Sequence, residues 1–210
     1  LGYALWLVPS EPQSGALRHL MDYRPQHYRS STHSYRSYPR FDPHITLATF
    51  SCLYRPSLCQ FLPSNVNPAP VYFQSIKIGN NYLSSLSIVV SKSRELMNLH
   101  DLVVRHLEKV NKHLQGVNKV HPTSRSFPRM SLFYLDEAFW GERLQLGNAL
   151  RQSGRIYERK GNITDVALNC ALDGAAPQFR AMKGFHGTEI WLVDCTGAVG
   201  DWKVLERQIL

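Results

Sequence analysis

The sequence predicts a fold of mixed strands and helices with internal pseudo-symmetry, of either the α/β or the α+β class. One reason is that short apolar, β-rich segments alternate along the chain with segments of helical periodicity. The other is a P-x-x-[ST]-L pattern that occurs twice, in FDPHITL at 41–47 and in SFPRMSL at 126–132. Each half of the chain is therefore predicted to contain one copy of the same kind of strand.

Seven strands are predicted from apolar content and β-branched residues. The first, Tyr3–Val8, is apolar throughout and stops at Pro9, as expected of a buried strand. The others are Ile45–Phe50, Val71–Ile78, Leu83–Val90, Met130–Tyr134, Asp165–Leu172 and Thr188–Asp194.

The clearest predicted helix has apolar residues at steps of three and four, which place them on one face toward a sheet: Leu96, Leu99, Val103, Leu107, Val110 and Leu114. Ser93 can cap its start and Gly116 can end it. Other helices are predicted over Ser14–Tyr23 and Glu142–Gln152, and from about Val199 onward.

Length and composition indicate one globular domain over residues 1–210, built from two pseudo-symmetric lobes. The chain is 43% hydrophobic, but it has no apolar run of about 18 residues, so no membrane span is expected. No signal peptide is visible, and we expect an intracellular, cytoplasmic protein. The four Cys have neither a C-x-x-C pair nor partnered His spacing, so reduced thiols are favoured over zinc or a Cys52–Cys59 disulfide.

The charge balance favours acidic ligands. Lys and Arg outnumber Asp and Glu by 24 to 16, which gives a formal net charge of +8, and nine His add positive charge as the pH falls. Such a surface attracts phosphate esters or nucleic acid, and the charge alone does not choose between them.

The repeated strand carries the candidate chemistry. Side chains two positions apart point to the same face of a strand, so His44 and Thr46 project together, and so do Arg129 and Ser131. A hydroxyl can donate to a phosphate oxygen, and an imidazole can accept or supply a proton near neutral pH. If the two strands lie side by side, both pairs flank one cavity.

Three segments resemble the eukaryotic (fungal and plant) cyclic phosphodiesterase branch of the two-histidine (2H) phosphoesterases: FDPHITL, FPRMSLFYLD and WLVDCTGAVGDWKVL. The resemblance begins at ALWLVP (4–9) and extends to the last dozen residues. It implies an α+β, bilobal fold in which two antiparallel sheets with outer helices face each other across a central cleft. It also implies hydrolysis of 2′,3′-cyclic nucleotides, or of ADP-ribose 1″,2″-cyclic phosphate from tRNA splicing, to the 2′- or 1″-monoester, by a monomer without a metal or other cofactor.

The resemblance assigns site residues position by position. His44 matches the first catalytic histidine, Thr46 and Ser131 match the phosphate-binding hydroxyls, and Tyr134 matches an aromatic hydroxyl at the site, although a core role for Tyr134 stays open. Arg129 stands where the second catalytic histidine is expected.

Arginine at position 129 changes the expected chemistry. A guanidinium stays protonated and cannot act as a base, but it can hold a phosphate and offset negative charge. The sequence therefore predicts a severely slowed hydrolase, in which Arg129 was either introduced on purpose or acquired by drift. Alternatives are a non-catalytic nucleotide- or RNA-binding protein on the same scaffold, and a relative acting on RNA ends as a 2′–5′ phosphodiesterase or ligase.

Other residues have rival interpretations. His186 lies in a formal H-x-T at 186–188, but no proline precedes it, and a structural role at the start of a strand is favoured. His121 is predicted to be a loop histidine. The helix histidines are predicted to face solvent, and Trp6 and Trp191 to be core residues: His100, His106, His113, Trp6 and Trp191.

A basic segment precedes the first motif. Residues 24–40 contain no acidic residue and interleave tyrosines with arginines, which could stack bases and meet phosphates. A solvated loop without nucleotide contact is the alternative.

Overall fold

A computed structural model of the chain describes residues 2–25, 36–52, 55–64, 66–113, 119–121, 127–136, 140–159, 165–172 and 177–210. Its strands and helices, in chain order, are β1 (Tyr3–Pro9), α1 (Glu11–Met21), β2 (Ile45–Ser51), α2 (Leu58–Phe61), β3 (Ala69–Ile78), β4 (Leu86–Val90), α3 (Arg94–His113), β5 (Lys119–Val120), β6 (Arg129–Phe133), α4 (Trp140–Gln152), β7 (Ile156–Arg159), β8 (Asp165–Leu168), β9 (Gly184–Asp194) and β10 (Lys203–Ile209).

The strands of the described residues form one large sheet and one small sheet. The large sheet has eight strands in the order β1-β2-β6-β4-β3-β9-β10, with β5 beside β2, and the small sheet pairs β7 with β8. All of these pairings are antiparallel, which confirms the α+β class.

Strand β9 links the two halves of the large sheet. Its residues 184–187 pair with β3, and its residues 187–194 pair with β1. Because β2 also pairs with β6, the strands form a closed circuit. The two predicted sheets are thus two halves of one continuous sheet, β1-β2-β9-β10 and β3-β4-β6.

Strand β1 separates two apolar clusters. Leu5 and Leu7 point into the main core, whereas Trp6 points to the opposite face with Ala4 and Val8. This alternation is the normal consequence of strand geometry. Alternate residues of the apolar strand β1 therefore pack in two different clusters, one on each face of the sheet.

Helix α3 packs on the main core as its periodicity predicts. Leu96, Leu99, Val103 and Leu107 are buried, and the helix contacts β2 and β3. The Leu96 N–H donates to Ser93 Oγ at 3.3 Å, so Ser93 caps the start as predicted. Leu114 and Gly116, predicted near its end, lie outside the described residues.

The prediction of a helix from Val199 is wrong. Val199–Asp201 is a single 3₁₀ turn, and the chain then continues as β10. β10 pairs with β9 alone, at the edge of the sheet, where Lys203 and Arg207 are exposed and the Glu206 carboxylate accepts from the Leu58 N–H at 2.7 Å. Pairing with β9, which a local pattern does not reveal, overrides the helical tendency.

Several predicted strand boundaries shift. The segment predicted from Leu83 begins with a 3₁₀ turn, Tyr82–Ser84, before β4, and the strand predicted to reach Leu172 ends at Leu168. β5 and β7 were not predicted. The four cysteines are free, as predicted, with Cys170 and Cys195 buried. No helix of the described residues is long and apolar enough to cross a membrane.

Arg143, in α4, is a fully buried arginine that holds the end of the second motif segment. Its Nη2 donates to the Leu135 carbonyl at 3.0 Å and its Nη1 to the Gly79 carbonyl at 2.8 Å. The Leu135 N–H donates to Ser85 Oγ at 2.9 Å. Since Leu135 follows Tyr134 directly, these contacts fix the backbone beside a predicted site residue.

We expect Arg143→Met to lower the free energy of unfolding by about 3 kcal/mol, because two hydrogen bonds from a charged donor are lost and the Gly79 carbonyl loses its side-chain donor, whereas the Leu135 carbonyl still accepts from Ser85 Oγ at 3.0 Å. Urea unfolding followed by tryptophan fluorescence measures the change. Arg105→Met is the control, since Arg105 is exposed in α3 and its one ion pair within the described residues is a 3.9 Å surface pair with Asp101. Equal effects of the two substitutions would contradict the role assigned to Arg143.

Candidate active site

The two motif strands are neighbours in the large sheet. β2 and β6 run antiparallel, with Ile45 opposite Met130. The residues on either side of this pair face one another across the strands: Thr46 opposite Arg129, and His44 opposite Ser131. Opposed residues in an antiparallel pair point to the same face. The register therefore brings both motif pairs to one surface.

A cavity of about 220 Å³ opens at this surface. It is lined by all five residues that the sequence predicted for the site: His44, Thr46, Arg129, Ser131 and Tyr134. Two segments more than eighty residues apart thus contribute to one enclosed space.

His44 has a defined tautomer. Its Nδ1 lies 2.7 Å from the carbonyl oxygen of Asp42. A carbonyl oxygen only accepts hydrogen bonds, so Nδ1 must carry the hydrogen and donate it. In the neutral ring, Nε2 is then the nitrogen with a lone pair, and it can accept a proton.

The surroundings of His44 favour the neutral ring. The side chain is buried, with 5% exposure, and its ring stacks on Trp6 at a centroid distance of 3.6 Å and an interplanar angle of 7°. Burial lowers the pKa of His44 to about 4; Asp42 opposes this shift, and the nearby Arg129 charge adds to it. His44 is therefore an uncharged proton acceptor near neutral pH.

Trp6 combines a core position with a site position. It is buried, as predicted, but it also lines the cavity and supports the imidazole face. Side chains alternate between the two faces of β1, which places Ala4, Trp6 and Val8 on one face. Because residues on both faces are apolar, the sequence does not show that Trp6 faces a site rather than the main core. Trp191, paired with Trp6 across β1 and β9, is buried as predicted.

Arg129 brings a positive charge to the cavity. Its Nη2 donates to the Leu83 carbonyl at 3.3 Å, which orients the guanidinium. Within the described part of the chain, no carboxylate forms an ion pair with Arg129. The guanidinium is thus available to an anionic ligand.

Ser131 and Tyr134 bring two hydroxyl groups to the cavity. Burial raises the pKa of Tyr134 to about 12, and the nearby Ser131 hydroxyl and Arg129 charge oppose this shift. The tyrosine ring is enclosed by three aromatic side chains, with centroids 4.5, 5.6 and 6.1 Å away: Phe41, Tyr82 and Trp202. Tyr134 therefore satisfies both interpretations left open by the sequence, since it is buried and also lines the cavity.

Trp202 and Cys195 line the cavity without having been predicted there. The helix predicted from about Val199 onward includes Trp202, and a helical position does not indicate that its side chain reaches the cavity. The Cys195 thiol contacts the Val193 carbonyl at 4.0 Å, and burial raises its pKa to about 12. This thiol is protonated near neutral pH and is a poor nucleophile.

The rival histidines lie elsewhere. His186 is an exposed residue of β9, with its N–H bonded to Gln13 Oε1 at 3.1 Å, and the His121 N–H donates to the Thr49 carbonyl at 2.9 Å. Neither lines the cavity. The Leu7 side chain packs directly against Gly187, so the glycine of the formal H-x-T is required by packing.

The solvent-facing prediction is wrong for His100. This residue is buried, and its ring lies 4.2 Å from the Phe127 ring, because Phe127 covers that side of α3. His106 is half-buried, with Nε2 lying 3.3 Å from the Gln60 carbonyl. The side chain of His113 lies outside the described residues. In the described ranges, no group of three or more His, Cys, Asp or Glu could hold a metal ion.

Most of the basic segment, residues 26–35, lies outside the described residues. At its ends, Arg24 Nη1 donates to the Met21 and Tyr23 carbonyls at 2.9 and 2.7 Å. Arg36 lies over the Tyr82 ring, 5.1 Å from its centroid. Whether the segment contacts nucleotides stays a prediction.

The cavity combines a neutral imidazole, a guanidinium and hydroxyl groups, a set of side chains that is suited to an anionic ester. A family model described as cyclic phosphodiesterase-like protein matches residues 1–210. The chain therefore belongs to the cyclic phosphodiesterase-like protein family, and this membership supports a phosphoesterase of cyclic phosphodiesterase type.

A solved structure entitled "Crystal structure of phosphoesterase" is similar over 100% of this chain and 97% of its own, with 13% identity and a TM-score of 0.49. A search of curated proteins finds no match.

Proposed function

We propose that this protein hydrolyses 2′,3′-cyclic nucleotides to 2′-phosphomonoesters, and by the same chemistry ADP-ribose 1″,2″-cyclic phosphate to the 1″-phosphomonoester. The observation that carries the proposal is the register of β2 against β6, which gathers His44, Thr46, Arg129 and Ser131 at one cavity. RNA ends that carry a 2′,3′-cyclic phosphate have the same reacting group.

The phosphate fits between the two motif strands. The hydroxyls of Thr46 and Ser131 can donate to its non-bridging oxygens from opposite strands, and Arg129 supplies the counter-charge. As negative charge builds up on these oxygens during attack, the same donors stabilise the transition state.

His44 is assigned as the general base. Its Nε2 takes a proton from water while the water oxygen attacks phosphorus, and the bond from phosphorus to the 3′-oxygen breaks with its electron pair left on that oxygen. The 3′-oxygen must then take a proton from solvent, because Arg129 does not release its own near neutral pH. A slow hydrolase results.

The product identifies the reaction. Incubation with 2′,3′-cyclic AMP in EDTA, followed by phosphorus NMR, is expected to give 2′-AMP, and 3′,5′-cyclic AMP is expected to stay intact because its phosphate bridges different oxygens. Formation of 3′-AMP would refute the assigned direction of cleavage. Complete loss of turnover in EDTA would refute metal independence.

A second candidate, a non-catalytic nucleotide-binding protein, is favoured by Arg129 itself, since a guanidinium improves phosphate binding while removing one proton carrier. Micromolar affinity for 2′-AMP, with no product formed even by Arg129→His, would favour this binder over the hydrolase.

A further inference from the structure

A second cavity, of about 480 Å³, lies beside the first. Arg129 and Phe127 line both cavities, so the two spaces share a wall. The second cavity also has two lysines and two serines in its lining: Lys77, Lys92, Ser87 and Ser91. It is therefore a basic, hydroxyl-bearing extension of the candidate active site.

Strand register connects the two cavities. Ser131 of β6 lies opposite Ser87 of β4, which in turn lies opposite Lys77 of β3. Residues opposed in this way share a face, so a polar row runs from the first cavity to the second. Two strand spacings separate the backbones of Ser131 and Lys77 by roughly 10 Å.

Ser87 is an unusual member of this row. It is 1% exposed, and its hydroxyl has no hydrogen-bond partner among the described residues. A buried hydroxyl left unpaired costs about 1–3 kcal/mol, which a ligand acceptor can recover. Ser87 lines a cavity that Lys77 and Lys92 also line, so an anionic oxygen held there by the lysines can supply the missing partner.

The lysines are available to such an anion. Lys77 and Lys92 are exposed, and neither is ion-paired to a carboxylate in the described ranges. Arg129 lines both cavities and donates only Nη2 to protein in these ranges, so its remaining N–H groups are available to a ligand. A ligand with two phosphates on one ribose would place Arg129 between them.

We propose that the second cavity binds a phosphate on C5 of the same ribose that carries the cyclic phosphate, with Ser87, Lys77 and Lys92 as its ligands. The inference rests on the proposed function and narrows its substrate class. A 5-phosphate is shared by 5′-phosphorylated nucleotides, by the ends of RNA fragments and by nucleoside diphosphate sugars. A bare cyclic nucleoside phosphate lacks it.

Binding of two product-like nucleotides tests the inference without requiring turnover. By calorimetry at low salt, adenosine 2′,5′-bisphosphate is expected to bind about tenfold or more tightly than 2′-AMP, because the added phosphate gains charge-assisted hydrogen bonds. The ratio of the two dissociation constants measures how much the second cavity contributes to binding.

Variants show which residues cause the tighter binding of the bisphosphate. Lys77→Met and Ser87→Ala are each expected to reduce it severalfold, and Lys109→Met is expected to preserve it, because Lys109 is exposed on α3 and lines neither cavity. Ser87→Ala removes a hydroxyl with no partner among the described residues, so the fold should tolerate it; melting temperatures check this.

The outcomes separate the two proposals. If 2′-AMP binds but the bisphosphate binds no more tightly, the second-cavity inference is overturned and the proposed function stands. If neither nucleotide binds, both are overturned. A ratio that persists in Lys77→Met and in Ser87→Ala would place the 5-phosphate elsewhere and overturn the inference.

Substrate assays then identify which kind of molecule supplies the phosphate on C5 of the ribose. Three cyclic-phosphate substrates are compared: one with a free 5′-phosphate, one whose 5′-phosphate is linked to a further nucleotide, and one with a diphosphate on C5″. Equal values of kcat/KM for all three and for 2′,3′-cyclic AMP would contradict a contribution of the second cavity to catalysis.

Discussion

Replacing Arg129 by His should raise the turnover of 2′,3′-cyclic AMP by about 10²–10⁴-fold. The register places residue 129 opposite Thr46, with its side chain at the cavity, so an imidazole there faces the phosphate together with His44. The new ring can protonate the departing 3′-oxygen, a step that the guanidinium cannot perform. Initial rates of 2′-AMP formation measure the gain.

Arg129→Gln is the matched control. Glutamine removes the charge without adding a proton carrier, so its turnover should stay at or below that of the unmodified protein and its affinity for 2′-AMP should fall. The His variant should also acquire a bell-shaped dependence of kcat/KM on pH, as two titrating groups require. If Arg129→His gains no more than Arg129→Gln, the assignment of position 129 as a proton-transfer position is wrong.

The local patterns that predicted the fold correctly are those that act within one element. The apolar stripe of α3 and its Ser93 cap determine that helix, and its observed start agrees with them. The repeated P-x-x-[ST]-L pattern likewise identifies β2 and β6. In both cases, residues close in sequence carry the whole physical signal.

What sequence patterns missed depends on contacts between distant segments. β10 is a strand because it pairs with β9. Trp202 lines the cavity because it lies between the 3₁₀ turn Val199–Asp201 and the start of β10. Trp6 supports His44 because β1 lies between β2 and β9. None of these partners lies within a short sequence window, so neither periodicity nor residue preference reports them.

The second cavity illustrates the same limit. Ser87 and Lys77 belong to no recognisable sequence motif. They come together only through the register of the three strands β3, β4 and β6. Lysine and serine on strands usually indicate a solvated face. Only the burial of the Ser87 hydroxyl and the shared wall at Arg129 distinguish this face from an ordinary one.

His44→Gln should reduce turnover by about 10²–10⁴-fold, most measurably in the Arg129→His background, because the base that activates water is lost. The same substitution should change how stability depends on pH. In the folded protein the pKa of His44 is about 4, whereas the ordinary value is 6.5. Between these values the unfolded chain binds a proton that the folded chain does not.

The sign follows from this difference in bound protons. Stability contributed by the neutral, buried ring is fully present above about pH 6.5, falls as the pH drops toward 4, and is constant below that, for a total loss of about 3 kcal/mol. Urea unfolding at intervals from about pH 7 to pH 4 should show this loss, and His44→Gln should flatten the curve by the same amount. Hydrogen bonds with Thr196 lower the pKa of Asp194, and this contribution is common to both proteins, so it cancels in the comparison with His44→Gln.

His186→Gln is the control for this measurement, because His186 is exposed on β9 and away from the cavity, and its curve should keep the full acid-side loss. Adding 2′-AMP should make this loss smaller and confine it to a narrower range below pH 6.5, since a bound phosphate partners the protonated ring and raises the folded-state pKa of His44 toward its ordinary value. If His44→Gln retains the same slope between pH 4 and 6.5 as the unmodified protein, His44 is not the buried neutral base assigned here, and the water-activating step must be assigned to another group.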